Sequence, residues 1–65
     1  MKLTINGERR ELDATTVAEA LAALDMGDAR VATALNGDFV PASARADTAL
    51  SPGDALEIVA PMQGG

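Results

Sequence analysis

The sequence predicts an α+β fold in which a mixed sheet of four to five strands wraps a single helix, and three observations carry that prediction. Two Asn-Gly pairs, Asn6-Gly7 and Asn36-Gly37, each stand between short alternating segments. This is a strong tight-hairpin signal, because both central turn positions favour positive φ. Between the hairpins lies one amphipathic stretch that opens with Thr16 and, three residues later, Glu19, the spacing of a capping box. The apolar run Leu56-Glu57-Ile58-Val59 then reads as a closing strand interior to the sheet. With 65 residues the chain has room for one core.

Taken in order, Lys2 to Asn6 alternates as a strand with Leu3 and Ile5 on one face, and Arg9 to Leu12 is its hairpin partner, polar except for Leu12. Val17, Ala20, Leu21 and Leu24 fall at i, i+3, i+4 and i+7, so a helix is predicted from Val17 to Asp25, with Gly27 supplying a left-handed C-terminal position. Val31 to Leu35 is the next strand, and Phe39-Val40 begins a short return that Pro41 stops. Ala42 to Ala49 is weakly patterned and reads as loop with a helical turn. Ser51-Pro52-Gly53-Asp54 is a reverse turn in which Pro presets φ at the second position. A helix that leaves one hairpin and returns to the same sheet must cross one face, and the last strand is placed most simply parallel beside the first. That is a β-grasp arrangement. Its expected core is Leu3, Ile5, Leu12, Val17, Leu21, Leu24, Val31, Val40, Leu50, Leu56 and Ile58. Residues 1–60 form the expected domain. Residues 61–65, with Pro61 blocking the strand and two glycines that packing cannot hold, form an expected flexible tail.

Composition removes several classes of function. There is no Cys and no His, which excludes thiol and imidazole catalysis and the usual soft metal ligands. Glu8 with Glu11, and Asp25 with Asp28, are carboxylate pairs without a third ligand, so neither a metal site nor any catalytic residue is expected, and the chain reads as a non-enzyme. Five basic residues (Lys2, Arg9, Arg10, Arg30 and Arg45) stand against ten acidic ones, for a net charge of -5. With Phe39 as the sole aromatic, the chain has neither the basic patch nor the stacking platform that nucleic-acid binding uses. After Arg45 every charge is negative, which suits a solvated face somewhat better than docking to a basic groove on a partner. The alternating N-terminus has no signal-peptide pattern, and no segment reaches membrane-spanning length. Neither nucleic acid nor membrane is an expected partner, and the expected location is the cytoplasm.

The chemistry is expected at the final residues. A carboxylate at Gly65, on a lead of Met62, Gln63 and Gly64, could thread into a partner's narrow active site where any Cβ would collide. Residues 61–65 could project up to about 16 Å when extended. Ionised at neutral pH, the carboxylate could attack the α-phosphate of ATP, and the acyl-adenylate would accept a sulfur or amine nucleophile. Phe39 alternates with Val40, so if Val40 faces the helix Phe39 faces outward, either as a partner contact or covered by its own sheet or loop.

The segments Ala34 to Pro41 and Leu50 to Val59, followed by Gly64-Gly65, resemble the ThiS family of thiamine-biosynthesis sulfur carriers, a ubiquitin-like β-grasp family, over the whole chain. The resemblance implies an E1-like adenylyltransferase that uses ATP and Mg to activate Gly65, a persulfide sulfur donor that converts it to a thiocarboxylate, and thiazole synthase as the acceptor of the sulfur. No permanently bound cofactor is implied. Two positions depart from the family pattern. Arg45 is displaced from its usual place directly after the Val-Pro pair, and Met62-Gln63 stands where a small residue often precedes the glycines. A molybdopterin-synthase sulfur carrier or a ubiquitin-like protein modifier would use the same terminus. A TGS-like binding module shares the fold and the turns, but has no need of the glycine pair.

Overall fold

The computed structural model describes residues 1–27 and 30–60. In chain order the elements are β1 (Lys2–Ile5), β2 (Glu8–Glu11), α1 (Val17–Ala23), β3 (Ala32–Leu35), β4 (Asp38–Val40), a 3-10 helix (Ala42–Asp47) and β5 (Ala55–Val59). They form one five-stranded mixed sheet of order β2-β1-β5-β3-β4. β5 lies parallel to β1, with Ile5 opposite Leu56, and antiparallel to β3, with Thr33 opposite Ile58. The β-grasp arrangement with first and last strands adjacent at its centre is therefore present. The expected tail, 61–65, lies outside the described residues.

Both hairpins close on the predicted residues. Asn6 and Gly7 have φ of 51° and 86°, Asn36 and Gly37 of 51° and 89°, the left-handed pair that a two-residue turn between twisted strands requires. In the Ser51–Asp54 turn, Gly53 has φ 90° and the Asp54 N–H donates to Ser51 O at 3.0 Å. Pro52 and Gly53 thus occupy the positions each suits best.

α1 begins as the capping pattern requires. Extended Thr16 presents Oγ1 to the Glu19 N–H at 3.1 Å, and Glu19 Oε1 accepts from the N–H and the hydroxyl of Thr15, both at 2.7 Å. These bonds to the charged form, the Thr15 N–H first among them, hold the Glu19 carboxyl below the usual carboxylate range. The helix ends earlier than predicted, at Ala23, and the left-handed position belongs to Asp25, with φ 62°, not to Gly27. Asp25 N–H donates to Ala22 O at 3.0 Å and Met26 N–H to Leu21 O at 2.7 Å, the paired bonds of a Schellman end. Asp is one of the few non-glycine residues that visit this conformation, so the helix stops without reaching Gly27.

The core lies between α1 and one face of the sheet. Leu3, Ile5, Leu12, Val17, Leu21, Val40, Leu50, Leu56 and Ile58 are buried as expected. Leu24 and Val31 are only partly buried at its margin; Ala20 is buried on the predicted apolar stripe of the helix though absent from the expected core, and Ala14 and Thr33 are buried without having been predicted. Thr33 is accommodated because its hydroxyl donates to Val40 O at 2.8 Å. The linkers pair as well: Val17 N–H donates to Thr48 O at 3.0 Å and Leu50 N–H to Thr15 O at 2.9 Å, which ties the entry of α1 to the approach to β5.

Candidate functional site

Alternation along each strand decides what the uncovered face of the sheet presents. The register places Arg9 beside Thr4 and Glu11 beside Lys2 on the β2–β1 half. On the β5–β3–β4 half it places Val59 beside Ala32, and Glu57 and Phe39 on either side of Ala34. One half is charged. The other is apolar, with small alanines between two large side chains and Glu57 in the middle. Phe39 is 70% exposed and Val59 61% exposed, so the outward orientation of Phe39 is realised and its own sheet does not cover it. Large apolar side chains exposed on one sheet half are the composition of a protein-contact surface. Beside it, a cleft of about 340 Å³ opens between β4 and the 3-10 helix, lined by Leu35, Phe39, Val40, Pro41, Ala44 and Thr48.

Electrostatics on the charged half is local. The Met1 ammonium lies 2.8 Å from Glu11 Oε2 and donates to Leu12 O at 2.7 Å. The ammonium's hydrogen bond to the Glu11 carboxylate holds that carboxyl below its ordinary range. Among the described residues no three His, Cys, Asp or Glu side chains gather as a metal ion would require. No described helix is long and apolar enough to cross a membrane.

β5 carries the chain toward residues 61–65. Gly65, Gly64, Gln63 and Met62, the predicted attachment and threading residues, lie outside the described residues. The strand that delivers them is gripped at both ends by the two hairpin asparagines, a feature that the sequence reading assigned only to turn formation. Asn36 Oδ1 accepts from Ala55 N–H at 2.9 Å and its Nδ2 donates to Asp54 Oδ1 at 3.1 Å, at the start of β5. Asn6 Oδ1 accepts from Ile58 N–H at 2.8 Å and its Nδ2 donates to Ile58 O at 3.1 Å, near the end. Arg45 is engaged within the fold. Its guanidinium turns inward, donating to Thr33 Oγ1 at 3.2 Å and to Val31 O, and so ties the 3-10 helix to the start of β3.

With this geometry in place, the comparisons with known proteins are specific. A model of the ThiS family matches residues 3–65. The crystal structure of the thiamine biosynthesis protein ThiS from Geobacter metallireducens superposes with a TM-score of 0.84 at 36% identity, covering 100% of both chains. The NMR solution structure of a thiamine biosynthesis protein from the same organism gives 0.79 at 35% identity, over 100% of this chain and 88% of that one. A thiazole synthase of Paramagnetospirillum magneticum is 46% identical over 66 residues, which is 100% of this chain but 20% of that protein. The chain thus spans about one fifth of the length of the curated relative it matches. The fold, the strand order and a family match running through the terminal glycines agree, and the chain belongs to the ThiS family.

Proposed function

We propose that this chain is a sulfur carrier for the thiazole branch of thiamine biosynthesis, a protein substrate in the cytoplasm and not itself an enzyme. The observation that carries the reading is the family match through Gly64 and Gly65, joined to a fold shared with a ThiS crystal structure at TM-score 0.84. A carboxylate oxygen of Gly65 attacks the α-phosphorus of ATP in an E1-like adenylyltransferase that supplies the Mg, and pyrophosphate leaves. A persulfide sulfur attacks the acyl carbon and AMP leaves. A second thiol then cleaves the S–S bond, so that the sulfur stays on Gly65 as a thiocarboxylate. Thiazole synthase is the acceptor, a choice supported by the 46% identity to a region of a protein of that name. Phe39, with Val59 beyond it on the exposed apolar half, is where the partner docks while Met62, Gln63 and Gly64 enter its active site.

Intact-protein mass spectrometry tests the reading. Incubation with the adenylyltransferase, ATP, Mg and a persulfide donor should shift the mass by one sulfur in place of one oxygen. Deleting Gly65 should abolish the shift and ATP–pyrophosphate exchange while leaving the melting temperature unchanged, because the lead is then about 3.5 Å short. A Gly65 deletion that exchanges as well as wild type would remove the case for a carrier.

A further inference from the structure

β1 ends before β5 does. Ile5 lies opposite Leu56, and the Asn6 N–H donates to Leu56 O at 3.0 Å, after which the chain turns away through Gly7. β5 continues to Val59, so the N–H and C=O of Ile58 face a place where β1 supplies no backbone. Buried peptide groups must be paired, and Ile58 is a buried residue. The Asn6 carboxamide fills that place with one acceptor and one donor, as a further strand residue would. Ala60, two residues on, is the last described residue before the segment that ends in Gly65.

We propose that Asn6 is a positioning residue for the C-terminal reaction: its side chain fixes the end of β5, the last described element before the reacting Gly65. This rests on the carrier reading above. The argument has an internal control, because Asn36 has the same φ of 51° in the same kind of turn, yet grips β5 at the opposite end, at Ala55. If these amides served stability alone, the two residues would be equivalent. Only Asn6 stands at the root of the reacting segment.

Glycine adopts positive φ without strain, so Asn6→Gly and Asn36→Gly keep both turns while removing each clamp. The full-length variants would be compared by hydrogen–deuterium exchange at the Ile58 amide and by ATP–pyrophosphate exchange with the adenylyltransferase. In Asn6→Gly the Ile58 amide should exchange faster, and kcat should fall about 10-fold with KM for the carrier within about 2-fold, since reach and aim are lost while the docking face is untouched. Asn36→Gly should melt lower but keep wild-type kcat and Ile58 protection. Asn6→Asp retains an acceptor for the Ile58 N–H and should fall between wild type and Asn6→Gly; it also serves as the variant of record if the glycine form melts below assay temperature. Wild-type kcat in Asn6→Gly, or equal losses in Asn6→Gly and Asn36→Gly, would overturn the positioning role alone. An inert wild type would overturn the carrier reading and the role with it.

Discussion

The same five strands build two faces that differ in what holds them and in what they can do. On the covered face Leu3, Ile5, Leu56 and Ile58 share one core with α1 and its linkers, Thr33 and Val40 are buried beside the 3-10 helix, and every large side chain at its centre is buried. On the open face Phe39 and Val59 touch solvent, and the remaining positions are alanines, charges and Thr4. The period-2 alternation of a strand makes such a division automatic, so a residue can be changed on one side with little effect on the other. The covered face stores the stability of the domain. The open face is free to be selected for contact.

The sharpest way to break this division is to remove a buried side chain at the centre of the covered face. Leu21 of α1 is 3% exposed, and Leu21→Ala should destabilise the domain by about 2–4 kcal/mol, read as a lowered denaturation midpoint. A core this small has little reserve, so partial unfolding at ambient temperature is within that range. Unchanged stability would mean that α1 does not carry the core.

Phe39→Ala is the corresponding change on the open face. An exposed ring lost from an edge strand should move stability by about 0.5 kcal/mol or less. In the ATP–pyrophosphate exchange assay, however, KM for the carrier should rise about 10-fold with kcat nearly constant, the pattern of lost docking. A large stability loss without a change in KM would turn Phe39 back into a structural residue.

Most of the covered face was legible in the sequence because its signals are local: Asn-Gly turns, a Thr16–Glu19 cap, and apolar residues at helical or strand spacing. The misses have a common cause. Ala14 is small enough to read as neutral, Ala20 falls on the apolar helix stripe but is too small to read as core, and Thr33 reads as polar until Val40 O is seen to accept its hydroxyl hydrogen. Asp25 displaced Gly27 at the helix end because glycine preference is statistical whereas the stop depends on where packing ceases. The inward turn of Arg45 and the clamps of Asn6 and Asn36 are long-range bonds, Ile58 lying 52 positions beyond Asn6, and no spacing rule reports them. On the open face, the exposure of Phe39 followed from its alternation with Val40.

The smallest effect concerns charge, and it asks whether acid loosens both faces alike. Glu19, at the entry of α1, and Glu11, on the open half beside Met1, both have carboxyls held below the usual range: the first by the Thr15 N–H and hydroxyl, the second by the Met1 ammonium. In each case the unfolded chain takes up the proton at a higher pH than the folded one. Their stabilising contribution is therefore complete above the unfolded Glu pKa of about 4.3, and is lost as pH falls through the lower folded value. Glu19→Gln removes the titrating group but keeps an oxygen that can accept from Thr15. Its melting temperature should lie slightly below that of wild type at pH 7, and the gap should narrow toward pH 3 as wild type begins to lose the contribution of the charged form. Glu11→Gln should behave in the same direction with a smaller gap, since Glu11 is itself largely exposed and salt screens its ion pair, and the gap should shrink further at high ionic strength. Thermal melts of the three proteins at both pH values decide the matter. A gap between wild type and Glu19→Gln that is the same at pH 3 as at pH 7 would show that the capping carboxylate contributes nothing through its charge.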